Sequence, residues 1–219
     1  VKNFILILWN IYNFFVMNAN LDYWKPEIKQ TKSENILDIW LIERLKEVTL
    51  KVTDSLENYD TVTSTNSLKS FVDDFSRWYV RRSRDRIGIN SLGSETDKIS
   101  CYQTYYSVLE KFIRLSAPFI PFITEKIYGN LTKNPSVHLQ DWPETNGVID
   151  YGLIEEMKSI RQIVEKIHAE RKKLGITLKQ PLKKATIYGN YKKFNEDLIE
   201  LIKDEVNVKS IEFKKGKDK

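Results

Sequence analysis

Leu68, Phe71, Val72, Phe75, Trp78 and Tyr79 recur at spacings of three and four residues, which a helix of 3.6 residues per turn places on one face. The same period returns along most of the chain and confines it to packed helices. It predicts a first helix over Phe4–Asn20, with aromatics at 4, 9, 12, 14 and 15 covering most of its circumference, the pattern of a buried helix. A second helix, capped by Ser33, carries Ile36, Ile39, Trp40, Leu45, Val48, Val52 and Leu56. Asn58-Tyr59-Asp60 and the Thr/Ser cluster after it mark its end, and the third helix runs from about Ser64 to Arg86. Beyond the polar stretch INSLGSETD, a fourth shows Ile99, Tyr102, Tyr106, Leu109 and Ile113 as its stripe. Pro118 and Pro121 cannot both lie inside a helix, so a sharp corner is expected before a short helix ending near Leu131. Trp142, next to Pro143, is expected to lie over an edge of the core. A fifth long helix spans Asp150 to Leu174, with Leu153, Ile154, Met157, Ile160, Val164 and Ile167 inward and Gly175 as its stop.

After Gln180-Pro181-Leu182 the period changes. KKATIY and VKSIEF read as strands, and FNEDLIELIKDEV between them reads as a short amphipathic helix, a β-α-β unit. The expected fold is therefore mainly α: a helical bundle over 1–148, a long helix and junction over 149–182, and a small α/β module over 183–219. Only 8 glycines and 6 prolines among 219 residues agree with long helices.

The opening VKNFILILWNIYNFFVM is apolar enough to raise a signal peptide or a membrane span. Asn10 and Asn13 interrupt it, it lacks a small-residue cleavage site, and the apolar stretch falls short of about 20 residues. A buried helix is expected instead, with no membrane. Because the sequence begins with Val, the expectation is a piece of a larger protein from which a neighbour of this helix is missing. Cys101 is the single cysteine, which excludes an internal disulfide and fits a reducing, cytoplasmic setting. It is expected to be a small buried apolar residue. With only His138 and His168 beside it, no recognisable structural zinc site can be built.

Motifs for self-contained catalysis are missing. There is no GxGxxG or GxxxxGK[ST] phosphate loop, no HExxH, and no GxSxG. What stands out is FSRWYVRRSRDR, residues 75–86, with five arginines and three aromatics. On a helix Arg77, Arg81 and Arg84 share one side, while Arg82 and Arg86 extend the aromatic line Phe75–Tyr79. Asp73 and Asp74 can pair with Arg77. A planar guanidinium suits bidentate contact with phosphate or carboxylate, so Arg81, Arg82, Arg84 and Arg86 either meet an RNA backbone or bridge to neighbouring helices. Arg171-Lys172-Lys173, with Lys179, forms a second cluster near a helix C-terminus, where cations are favourable without any ligand. Residues 158–219 hold 17 Lys/Arg against 9 Asp/Glu, whereas residues 1–157 hold 18 against 21, so a polyanionic partner is most plausible on the C-terminal part.

The order of the motifs is more specific than any one of them. LWNIYNFFVMNANLD, LDIWLIERL, NYD, FVDDFSRWYVRRSRDR, CYQTYYSVL, LSAPFIPFITEKIYGNL and SVHLQDWPE resemble isoleucyl-tRNA synthetases, in the helical anticodon-binding domain that follows the catalytic domain. AERKKLGITLKQPL and EVNVKSIEF resemble the junction and small C-terminal α/β module of the same family, so the likeness covers about residues 1–213. It implies a tRNA-binding fragment of a class I enzyme that joins isoleucine to its tRNA with ATP and Mg. The implied partners are isoleucine tRNA and the missing catalytic domain of the same chain, with the fragment monomeric, cytoplasmic and without a cofactor of its own. The family's HIGH-type and KMSKS-type signatures are absent, and Met157-Lys158-Ser159 is a superficial echo inside a helix. Arg81, Arg82, Arg84, Arg86, Arg171, Lys172, Lys173 and Lys179 are the implied tRNA-binding candidates, with no catalytic residue. Ile87-Gly88 replace the family's usual bulky aromatics, and Lys179 stands where an arginine is usual. A free-standing RNA-binding or regulatory module of the same descent, or a helical scaffold for protein partners, remains the alternative.

Overall fold

Helix occupies most of the chain up to Lys173, as the apolar period requires. The computed structural model describes residues 2–26, 33–88, 91 and 93–216 and divides into two units, Val1–Ile149 and Asp150–Lys219. The second unit takes in both the long helix with its junction and the α/β module. The middle of the predicted connection after the first helix (27–32), and residues 89, 90 and 92 of the polar stretch before the fourth, lie outside the described residues.

The first unit begins with α1 (Lys2–Leu21). By length and composition alone α1 could cross a membrane. Its composition predicts burial all round, but it buries one side only: Leu8, Ile11, Tyr12, Phe15 and Ala19 pack inward, while Leu6, Met17 and Leu21 stay more than half exposed. Helix α2 (Ile36–Glu57) is capped by Asn35, whose side chain accepts the Leu37 N–H at 3.0 Å. Ser33 is not the cap; its hydroxyl accepts the Asn35 N–H and donates to Asp38.

The Thr/Ser cluster after Asp60 opens the next helix instead of separating two. Asp60 caps α3 (Thr61–Asp74) through the Thr63 N–H at 2.9 Å. The hydroxyls of Ser64, Thr65 and Ser67 fold back onto carbonyls four residues earlier, which removes their competition with the helix. Helix α3 runs on through a π-helical stretch, Phe75–Val80, into one last turn, α4 (Arg81–Ser83). The widened turn accompanies burial of three consecutive residues, Trp78, Tyr79 and Val80, more than one face of a regular helix would bury.

Helix α5 (Glu95–Ser116) is central, with Cys101, Tyr102, Tyr105, Val108, Leu109, Phe112 and Ile113 all buried. Tyr105 stacks on Phe15 at 5.2 Å and meets Phe75 at 5.0 Å, and Phe112 stacks on Phe71 at 4.9 Å. Rings from α1, α3, the π turn and α5 thus form one continuous aromatic core, each pair adding about 0.5–1.5 kcal/mol beyond area burial. The corner at Pro118 leads into α6 (Pro121–Leu131), with Pro121 at its first position, where no N–H is needed. Trp142 lies half-buried and donates its indole N–H to Thr53 Oγ1 at 2.8 Å.

In the second unit, Asp150 caps α7 (Tyr151–Lys173), and Gly175 follows it at φ +67°. Strands β1 (Ala185–Tyr188) and β2 (Ile211–Lys214) pair in parallel, Ala185 opposite Ile211, with α8 (Glu196–Val206) as the crossover. Leu198, Leu201, Ile202 and Val206 of α8 are buried, and Phe194 and Tyr191 close on Phe213 at 5.6 and 5.8 Å.

Candidate nucleic-acid interface

The arginine segment separates into an inward and an outward group. Arg86 is buried and gripped on both edges. Its Nη1 and Nη2 donate to the two oxygens of Asp38 at 2.6 and 2.8 Å, and its Nε and Nη2 donate to Asp97 at 2.9 and 2.8 Å. Asp38 is fully enclosed and also accepts from Ser33 Oγ at 2.6 Å and Tyr79 OH at 2.7 Å, so both of its oxygens are doubly bonded to donors. Burial opposes the Arg86 charge, but the hydrogen bonds to Asp38 and Asp97 outweigh it and push its pKa further up. Burial likewise raises the Tyr79 phenol, reinforced by the Asp38 charge, and drives the Cys101 thiol to about 12. The clasp ties the chain after α4 to the starts of α2 and α5. Arg86 is therefore an internal strut, and a direct RNA contact through its guanidinium is withdrawn on geometric grounds.

The outward group is Arg77, Arg81 and Arg84, all exposed on the side that the helical spacing predicts. Arg77 leans on Asp73 at 3.4 Å, whereas Asp74, the other acid expected to pair with it, turns to Arg44 at 3.0 Å. Arg84 lies over the Phe14 ring at 6.0 Å and half-buried Arg82 over Trp78 at 5.9 Å, aromatic contacts that steady a guanidinium without neutralising it.

The second cluster divides in the same way. Arg171 is buried at the end of α7, and its Nη2 donates to the carbonyls of Thr177 at 2.8 Å and Leu178 at 3.5 Å, and closely to that of Gln180. It closes the junction loop onto the helix end and is also withdrawn as a direct RNA contact. Lys172, Lys173 and Lys179 remain exposed, with Lys173 paired to Glu170 at 2.5 Å. Among the described residues no group of three His, Cys, Asp or Glu side chains is placed to hold a metal ion.

The sequence profile of the anticodon-binding domain of tRNA ligases matches residues 38–187, more than half of the chain. The chain belongs to that family. It is similar to the isoleucine–tRNA ligase of Clostridium novyi, with 37% identity over 97% of this chain and 21% of that protein. The isoleucine–tRNA ligase of Thermus thermophilus is 37% identical over 83% of this chain and 18% of its own length. That of Picrophilus torridus is 35% identical over 95% and 20%. The chain thus spans about a fifth of the length of the curated relatives it matches.

For this anticodon-binding domain, sequence reasoning finds the arginines and misses what holds them. Asp38 and Asp97 decide which guanidinium is structural. One signal was available: Asp38 interrupts an apolar run, between Leu37 and Trp40-Leu41, where a charge survives only if it is paired. Nothing local announced that its partner lies 48 residues away.

Proposed function

We propose that this chain docks the anticodon arm of tRNA, as the anticodon-binding part of a synthetase that joins isoleucine to its tRNA in the cytoplasm. The observation that carries the reading is the family match, with likeness to isoleucine–tRNA ligases along nearly the whole chain. The contacting cations are Arg81, Arg82 and Arg84 of the first unit and Lys172, Lys173 and Lys179 of the second. Guanidiniums fixed beside aromatic rings meet phosphates in a set orientation, whereas the lysines act as mobile point charges. The chain's part in the reaction is positioning: holding one end of the tRNA brings its distant acceptor end to the active site, and the entropy of that placement is lost in binding instead of at the chemical step. ATP and magnesium belong to the remainder of the enzyme, and the chain acts as a monomer. Bases of an anticodon are read by splaying them out against aromatic or arginine faces.

Fluorescence titration of isoleucine tRNA with this chain, at low and moderate salt, tests the reading. An anticodon-substituted tRNA runs beside it. The expected outcome is salt-dependent binding that favours the native anticodon. No binding at low salt would sink the proposal and point to the protein-scaffold alternative.

A further inference from the structure

A cavity of about 720 Å³ opens in the first unit between the segment after α1, the outer side of α5 and the turn after α6, a size suited to a small organic ligand. One wall is aromatic and built in advance. Tyr23 takes a left-handed conformation (φ +54°) that ends α1 and folds Trp24 back, with the Trp24 N–H bonded to the Ala19 carbonyl at 2.9 Å. The indole stacks on Tyr102 at 5.5 Å and 26°. Tyr102 is pinned in turn by its hydroxyl donating to Asp22 at 2.6 Å, and Asp22 is held by Lys98 at 2.7 Å. Trp24 lines the cavity and Tyr102 does not, so a rigid half-exposed ring is presented to the opening. Tyr106 stands beside it at 5.9 Å and 54°, completing an aromatic corner.

The remaining walls are polar in a particular way. Gln103, itself buried, closes the floor. Lys25, Lys111 and Lys133 stand exposed around the rim. Among the described lining residues the one carboxylate is Glu110, and Arg114 holds it at 2.9 Å, so the rim is net positive. A flat ring surface beside a group of exposed ammonium groups matches a planar heterocycle with a phosphate attached. A purely apolar ligand would leave the lysine rim unused.

We propose that this cavity receives one unstacked nucleotide of single-stranded RNA, its base against Trp24 and Tyr106 and its phosphate at the lysine rim. The site rests on the reading that the chain binds tRNA, but none of the cations named for that reading lines it, and it supplies what they lack, a surface for a base. Stacking on an aromatic platform is worth about tenfold or more in affinity per base, and each lysine on a phosphate adds salt dependence.

The test uses the full chain, with isoleucine tRNA and each of the four nucleoside 5′-monophosphates as probes. Nucleotides should shift the Trp24 indole N–H resonance saturably, assigned by its loss in Trp24→Phe. Trp24→Leu should weaken tRNA binding about tenfold and Trp24→Phe much less, because phenylalanine keeps a stacking face. Lys111→Ala with Lys133→Ala should flatten the salt dependence. If Trp24→Leu fails to fold by circular dichroism, Trp24→Phe and the lysine pair carry the test. Unchanged tRNA binding in the Trp24 and lysine variants, with no shift at Trp24, would overturn the proposal while leaving the anticodon-arm reading intact. Nucleotide shifts at Trp24 without tRNA binding would do the reverse.

Discussion

Arg86 and Arg171 both follow or end a long helix and are both nearly buried, yet their guanidiniums are satisfied in opposite ways. Arg86 engages two carboxylates with Nε, Nη1 and Nη2 all bonded. Arg171 spends Nη2 on three backbone carbonyls, while its Nε and Nη1 are buried without a hydrogen-bond partner among the described residues. The first is a closed charge cluster; the second is a positive loop clamp with two idle donors. The difference teaches that buried arginines in one chain do not share one energetic role, because the cost of losing each depends on what it leaves behind.

Replacing Arg86 with methionine should cost about 3–5 kcal/mol, since it strands the enclosed Asp38 charge. Urea unfolding measures it, and a loss below about 1 kcal/mol would erase the distinction drawn between the two arginines. Arg171→Met leaves only neutral carbonyls without a donor and removes two idle donor nitrogens as well, so the expected loss is smaller, about 1–2 kcal/mol. Arg171→Lys should recover part of it, because an ammonium can still cap carbonyls. A loss equal to that of Arg86→Met would show that charge state matters less than burial.

Cys101 sharpens the comparison from inside the first unit. Burial raises its thiol from 9.0 to about 12, so the fold favours the protonated form. Its contribution to stability is complete below 9.0 and is lost as pH climbs towards 12, because the unfolded thiol ionises first. Alkylation by iodoacetamide at mildly alkaline pH should therefore be slow in the native protein and fast in urea. Rapid native alkylation would mean that the region around Arg86 and Tyr79 opens locally. The smallest stability effect is expected outside: Arg81→Ala and Arg84→Ala should each change stability by no more than about 0.5 kcal/mol.

Legibility in the sequence followed how local the determining physics is. Pro121, Gly175 and the stripe from Leu68 to Tyr79 act within a turn or two, and the corner, the helix stop and the inward face lie where those residues put them. The β-α-β unit was legible for the same reason. Ser33 and Asn35 are equally good caps by residue type, and what separates them is that the Ser33 hydroxyl is taken by Asp38, whose burial the local pattern does not show. The Thr/Ser run after Asp60 reads as a breaker until its hydroxyls are seen to bond within the helix. For Arg86 the sequence left an RNA contact and a bridge to neighbouring helices open, and the structure shows the bridge; for Arg171 the partners are backbone carbonyls, which side-chain spacing does not encode. The Trp24 wall of the cavity depends on one left-handed residue, Tyr23, that no apolar period announces.

The arginine segment is divided between an inward strut, Arg86, and an outward, exposed side that we propose meets phosphate. The most direct measurement is the salt dependence of isoleucine-tRNA binding for the Arg81→Ala/Arg84→Ala double variant beside the unchanged chain. Two lost phosphate contacts should make the slope of log K against log salt shallower by roughly 1.4–1.8, with thermal stability preserved. An unchanged slope and affinity would contradict the account and return the whole segment to a structural role.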